Sequence, residues 1–401
     1  MSLSQGRPYL AIPGPSVVPD RVLQAMHRPA PNIYTGALVD MVDTLLPDLK
    51  TIAGTGGEAA IYIANGHGVW EASLANVLSP GDRVLVLNTG NFGRGWGEVA
   101  AGLGAEVQQI DFDLSGPVDP ARVESALRDD KDRKIKAVLV VHVDTATGVR
   151  NDIATLRAAM DAAGHPALLM VDCIASLACD RFAMDDWGVD VMVAGSQKGL
   201  MTPPGIGFVF FNDKAKAARA GAGCVTRYWD WAPRVAPEQF YQRFYGTAPT
   251  HHLYGLREAL TMILREEGLS HVLARHATLA RAIWAAFDTW GQAGGVEVFL
   301  PDPAHRSHAV TAFRTGVPAD GTRLRDWMER EAGVTLGIGL GLAAPQSPEW
   351  HRYFRIGHMG HVNAHMVLGV LACVQAGLVA LEIPHAPGGL DAAAQVCAGA
   401  R

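Results

Sequence analysis

Short β-branched apolar runs recur through the first two thirds of the chain, and stretches of helical spacing separate most of them. The runs are Ala60–Ala64, Arg83–Leu87, Ala137–Val141, Leu168–Val171, Val191–Ala194 and Ile206–Phe211. None alternates apolar with polar as a half-exposed strand does, so both faces of each are expected to be buried. Between them, Trp70–Leu78, Arg94–Leu103, Pro120–Leu127 and Ile153–Ala163 show the spacing of amphipathic helices. Alternation of this kind folds as an α/β architecture, a mostly parallel sheet flanked by helices. The connection from Ala194 to Ile206 is the exception. It is too short for a helical crossover, so its two strands are expected to be antiparallel, with Lys198 in the turn.

From about Thr250 the rhythm changes. A long helical pattern covers Tyr254 to Trp290, broken near Gly268. Strand patterns follow at Val296–Phe299, Ala309–Phe313, Val334–Leu336 and Tyr353–Ile356, and helical ones at Thr322–Ala332 and Asn363–Leu381. We expect an N-terminal arm over residues 1–14, a large domain over 15–260 and a smaller C-terminal α+β domain over 261–401. The Pro/Gly-rich end after Pro384 is expected to be loosely ordered.

With 401 residues the chain can bury a sizeable core, and 49% hydrophobic against 18% charged residues excludes a disordered chain. A net charge of −6 argues against nucleic acid and anionic membrane as partners. No apolar run is long enough to cross a bilayer, and the first residues lack the apolar core of a secretion signal. Five scattered cysteines without a C-x-x-C pair fit reduced thiols in a cytoplasmic setting.

Two residues carry the chemistry. Lys198 stands in Gly195-Ser196-Gln197-Lys198-Gly199, followed by Pro203-Pro204-Gly205, just past the end of an apolar strand. A buried lysine loses its proton readily and attacks carbonyls. Asp172 ends another apolar strand, Ala167–Asp172. A lysine and an acid at the ends of two buried strands suggest pyridoxal phosphate, joined to the lysine as a Schiff base and paired through its pyridinium nitrogen with the acid. Asn65-Gly66-His67-Gly68, between a strand and a helix, offers backbone amides at a helix N-terminus, where phosphates bind; alone it reads equally well as a tight connection.

These segments, in this order, resemble the class V aminotransferases of pyridoxal-phosphate fold type I, in the branch of the alanine–, serine– and aspartate–glyoxylate enzymes. The resemblance runs from Pro13-Gly14-Pro15-Ser16 to Arg355-Ile356-Gly357-His358-Met359-Gly360. It implies that Lys198 is the Schiff-base lysine and shuttles the proton, and that Asp172 faces the ring nitrogen. Ile174 and Phe92 would cover the two faces of the ring. Gly66, His67, Gly68 and Gln197 would hold the phosphate, and Thr145 would stand beside the cofactor. Tyr245 and Thr247 would reach the phosphate of a neighbouring subunit in a homodimer with shared sites. Arg355 would bind the substrate α-carboxylate through a two-point contact.

The implied reaction is a ping-pong transamination from a small L-amino acid (serine, aspartate or alanine) to glyoxylate. A lyase on the same fold, or a non-enzymatic regulator retaining it, remains the alternative. An aspartate donor needs a second cation, for which Arg28, Arg94, His67 and His251 are candidates. Three other patterns carry less. His358, His361 and His365 have no accompanying acid or cysteine cluster, so no metal is expected. Gly337-Ile338-Gly339-Leu340-Gly341 lacks the helix and acid of a dinucleotide site. Ser176 and His142 lack a nucleophile elbow.

Overall fold

The computed structural model describes residues 2–399. A seven-stranded sheet is built from β2 (Glu58–Tyr62), β3 (Arg83–Asn88), β4 (Glu106–Asp111), β5 (Ile135–Val141), β6 (Leu168–Asp172), β7 (Val191–Gly195) and β8 (Gly207–Phe211), in the order β2-β8-β7-β6-β5-β3-β4. Only β8 runs against the others, pairing antiparallel with both β2 and β7. The expected antiparallel pair is therefore present, with Gly195 opposite Gly207 and Lys198 in the turn beyond. Strands β6, β7 and β8 are buried along their whole length, which is why their sequences do not alternate. At the sheet edge, Glu-Val-Gln-Gln-Ile-Asp of β4 is exposed and polar.

Helices α1 (Asp20–Met26), α2 (Ala37–Ala53), α3 (Gly66–Ala75), α4 (Asn91–Gly102), α5 (Pro120–Asp129) and α6 (Ile153–Ala162) accompany the large sheet. Short helices α7 (Asp213–Ala218) and α8 (Ala232–Val235) follow β8. The long helical pattern is two helices, α9 (Thr250–Thr261) and α10 (Leu269–Trp290). Residues Met262–Glu267 widen into a π-turn, and Gly268, at φ 83°, breaks the chain as its sequence suggested.

The smaller sheet has the order β1-β11-β12-β10-β9, from β1 (Tyr9–Ala11), β9 (Val296–Val298), β10 (Val310–Thr315), β11 (Val334–Ile338) and β12 (Tyr353–Gly357). Its helices are α11 (Pro318–Ala332) and α12 (Ala364–Ala380), with a last one, α13 (Gly389–Ala398). Two findings differ from the sequence reading. The N-terminal arm contributes β1, which pairs parallel with β11. The end after Pro384 is not loose. After its Pro/Gly turn, the alanine-rich segment forms α13 and packs on the core containing Trp290 and Ile283, burying Ala393. No helix among the described residues is long and apolar enough to cross a membrane.

Candidate active site

Because β2, β3, β5, β6 and β7 run in one direction, their C-terminal ends share one edge of the sheet, where open α/β sheets bind ligands. A cavity of about 280 Å³ opens there. Eight residues singled out from the sequence line it: Gly66, His67, Phe92, Thr145, Asp172, Ile174, Gln197 and Lys198. A larger groove of about 640 Å³ elsewhere is flanked by Arg306–Asp288 and Arg314–Glu297 pairs, so both of its arginines are already engaged.

Lys198 is only 9% exposed. Its Nζ donates to the Pro13 carbonyl, and Ser16 Oγ donates to the Lys198 carbonyl at 2.7 Å. The arm thus roofs the lysine, and Gly14 and Pro15 line the cavity as well. Burial first, and then the neighbouring Arg355 charge, lower the lysine pKa to about 8. Its amine is therefore far closer to neutral at physiological pH than that of a surface lysine.

Asp172, on β6, faces the same cavity. Its Oδ1 accepts from the Ile174 amide at 2.6 Å and its Oδ2 from the Trp70 indole at 2.9 Å. Burial dominates those two donors and raises its pKa to about 7, with Asp144 pushing the same way and Lys198 opposing. Asp144 shapes the loop after β5. It accepts from the amides of Phe92 (2.9 Å), Gly93 (3.3 Å) and Ala146 (2.9 Å), and so fixes the start of α4. Burial raises its pKa too.

The start of α3 offers first-turn backbone amides to an anion. Asn65 caps it, accepting from the Gly68 amide at 3.2 Å. Gly68 is therefore engaged in the cap and does not line the cavity, while the amides of Gly66 and His67 lie in the open first turn. A Cβ on Gly66 would stand 2.7 Å from Ile174 Cδ1, so a larger residue there must push the Ile174 side chain aside.

Arg355 is buried and does not itself line the cavity, but it is bonded to Thr145, which does. Its Nη1 donates to the Thr145 carbonyl at 2.7 Å and its Nε to the Ile338 carbonyl at 2.6 Å. Burial lowers its pKa to about 10, which leaves it charged. Tyr245 and Thr247 are exposed and do not line the cavity. Phe244, beside them, is core. Of the candidates for a distal carboxylate only His67 lines the cavity: Arg28 stacks on Tyr254, Arg94 is hydrogen-bonded to Asn91, and His251 meets the Arg28 carbonyl. His142 Nδ1 and Ser176 Oγ do meet, at 2.9 Å, but both are buried and neither lines the cavity. His358 is held by the His308 carbonyl and Thr311. Cys373 and Cys397 sit on α12 and α13 and do not line the cavity.

Residues 57–345 match the family model for aminotransferase class-V. The chain belongs to the class-V aminotransferases. It is 38% identical over 397 residues to the serine–glyoxylate aminotransferase of Methylorubrum extorquens, covering 97% of this chain and 95% of that one. It is 34% identical over 385 residues to the L-aspartate–glyoxylate aminotransferase of Paracoccus denitrificans, covering 96% and 94%. The structure of a ureidoglycine–glyoxylate aminotransferase from Bacillus subtilis matches with a TM-score of 0.86 at 27% identity, covering 99% of both chains. The cofactor of a class-V aminotransferase is pyridoxal phosphate, and the residues present fit it. Asp172 is a buried carboxylate that Lys198 attracts without forming an ion pair with it. The Gln197 amide lines the cavity with Oε1 buried and unpaired; turned over, it presents N–H donors to an anion. At the Gly66 turn the backbone approaches the cavity so closely that a Cβ would meet Ile174, which also lines it.

Sequence reasoning missed Trp70 as a ligand of Asp172, because the two are 102 residues apart and joined only through the packing of α3 on the sheet. It also missed the contact of Pro13 with Lys198, a main-chain carbonyl that no side-chain motif reveals.

Proposed function

We propose that the chain moves an amino group from a small L-amino acid (serine, aspartate or alanine) to glyoxylate, giving glycine and an oxo-acid in two alternating half-reactions. One observation carries the acceptor. Relatives similar over nearly the whole chain differ in the donor in their names, serine in one and aspartate in another, and share glyoxylate. The cavity supports amino-acid chemistry because Lys198 and Asp172 line it and Arg355 is hydrogen-bonded to Thr145 of its lining.

Lys198 Nζ would hold the cofactor and, when free, would carry the proton taken from the substrate α-carbon. Its lowered pKa suits that exchange near neutral pH. When bound, the protonated pyridine ring withdraws the electron pair left on that carbon. Asp172 keeps the ring nitrogen protonated by offering a charge that burial makes costly to leave unpaired. The Gly66 and His67 amides with Gln197 hold the phosphate, Phe92 and Ile174 cover the ring, and Thr145 stands beside it. Arg355 orients the substrate carboxylate. Tyr245, 40% exposed, and Thr247 are free to complete the phosphate site of a second copy in a homodimer. The five unpaired cysteines fit a reducing cytoplasm.

The test is to mix holoenzyme with serine, alanine or aspartate in turn, follow loss of the aldehyde-form absorbance, and then add glyoxylate. The expected outcome is loss with at least one donor, recovery on adding glyoxylate, and glycine in stoichiometric amount. No loss with any donor, or no recovery with glyoxylate, overturns the proposal. Elimination products without recoverable amino-form cofactor would mark a lyase instead.

A further inference from the structure

We propose that Trp70 is a positioning residue, whose indole N–H fixes the Asp172 carboxylate toward the cofactor ring nitrogen and favours its charged form. This rests on the reading of Asp172 given above.

Trp70 is 1% exposed and lies on α3 one turn after Gly66, at the spacing that puts both residues on one side of a helix. The first turn of α3 therefore addresses the phosphate end of the cavity, and the next turn addresses the carboxylate end. The indole Nε1 donates to Asp172 Oδ2 at 2.9 Å, while Oδ1 is taken by the Ile174 amide. The indole is held on three sides. It stacks on Trp96, with centroids 6.2 Å apart and planes 18° from parallel, and lies edge-on to Phe92 and His67 at 6.2 and 4.7 Å. A ring fixed in this way has little freedom to point its N–H elsewhere. The contrast with Trp96, Trp231 and Trp290, whose buried indole nitrogens have no partner, shows that the pairing at Trp70 is not a general consequence of burying tryptophan.

The charges around Asp172 make the donor consequential. Asp144 repels it and burial disfavours its ionised form; Lys198 attracts it; the neighbouring Cys173 thiol is kept neutral by burial. The Trp70 and Ile174 N–H groups are the hydrogen bonds that favour the carboxylate. Removing one of them must make Asp172 hold its proton to a higher pH, and a protonated acid cannot pair with a pyridinium.

The experiment titrates apoenzyme with pyridoxal phosphate across the pH range around 7, for wild type, Trp70→Phe and Asp172→Asn. A lost charge-assisted hydrogen bond corresponds to roughly ten- to hundredfold weaker cofactor binding in Trp70→Phe. The loss of affinity on the acid side should begin at higher pH than in wild type. Asp172→Asn should weaken binding and remove that acid-side dependence. Equal weakening of Trp70→Phe at every pH, or none, overturns the proposal, the former reducing Trp70 to packing. Unchanged cofactor binding in Asp172→Asn overturns the reading of Asp172 itself. A second measurement needs no Trp70 variant: the Trp70 indole N–H resonance should shift with pH in wild-type apoenzyme and stay still in Asp172→Asn. A resonance that does not move in wild type contradicts the proposal.

Discussion

Replacing Arg355 by lysine keeps the charge and removes the fork. A guanidinium has five N–H groups. Two are committed, one to the Thr145 carbonyl and one to the Ile338 carbonyl, which leaves three for a carboxylate. A lysine ammonium has three donors, and satisfying the same two buried carbonyls leaves one. The substitution therefore removes one of the two charge-assisted bonds to the substrate carboxylate, worth about 1.5–3 kcal/mol, or roughly 10- to 150-fold in affinity. Arg355 is 6% exposed, so water cannot take the place of the missing donor. Stopped-flow half-reactions with alanine measure the effect as a raised apparent Kd for the donor. Alaninamide, which lacks the carboxylate, is the control: its reaction should change little, so that Arg355→Lys loses discrimination between the two. The melting temperature should hardly move, because both carbonyls stay paired. Equal losses toward alanine and alaninamide, or no loss toward alanine, would refute the assignment of Arg355.

Three further outcomes follow from the packing and the buried charges. His142, His276 and His358 are held neutral by burial, with pKa values lowered to about 4, 3 and 4. Below about pH 6.5 the unfolded chain binds those three protons and the folded one does not, while the raised carboxyls of Asp172 and Asp144 act oppositely. Burial lowers His308 and His361 as well, so lowered histidines outnumber raised carboxyls and apoenzyme stability should fall as pH drops from 6.5 toward 4, by about 1.4 kcal/mol per pH unit for each excess proton, read as a falling urea midpoint. A midpoint flat or rising over that range would contradict the account. In Gly90→Ala the new Cβ would clash with the Asp144 carboxylate. It must displace the carboxylate that fixes the start of α4, and an overpacking cost of about 1–3 kcal/mol should appear in the urea midpoint. Cofactor binding should weaken with it through Phe92. A chain ending at Pro387 lacks α13 and should melt well below the full chain, since the Trp290 face would open to water; an unchanged melting temperature would show that the helix is not part of the core.

What the sequence made legible follows from where the buried strands lie. Runs such as Val191–Gly195 and Gly207–Phe211 are apolar because both sheet faces are covered, and Lys198 and Asp172 were visible as polar residues at the ends of such runs. Strand β4 was missed because an exposed edge strand need not be apolar at all. Strand β1 was missed because three residues form it only by pairing with Tyr9 opposite Val334, across more than three hundred residues. Helix α13 was hidden behind Pro384 to Gly388, whose turn composition masked the alanine-rich segment that follows. Within the site, side chains in recognisable turns were readable, whereas the Pro13 carbonyl and the Trp70 indole act through tertiary contacts that local spacing does not encode.

The central claim is that Lys198 carries the cofactor. Borohydride reduction of the holoenzyme, followed by proteolysis and mass spectrometry, tests it directly. The account predicts one pyridoxyl group per chain, on the peptide containing Lys198, and none in Lys198→Ala. A label on another lysine, or no covalent label on a cofactor-saturated wild type, would contradict it.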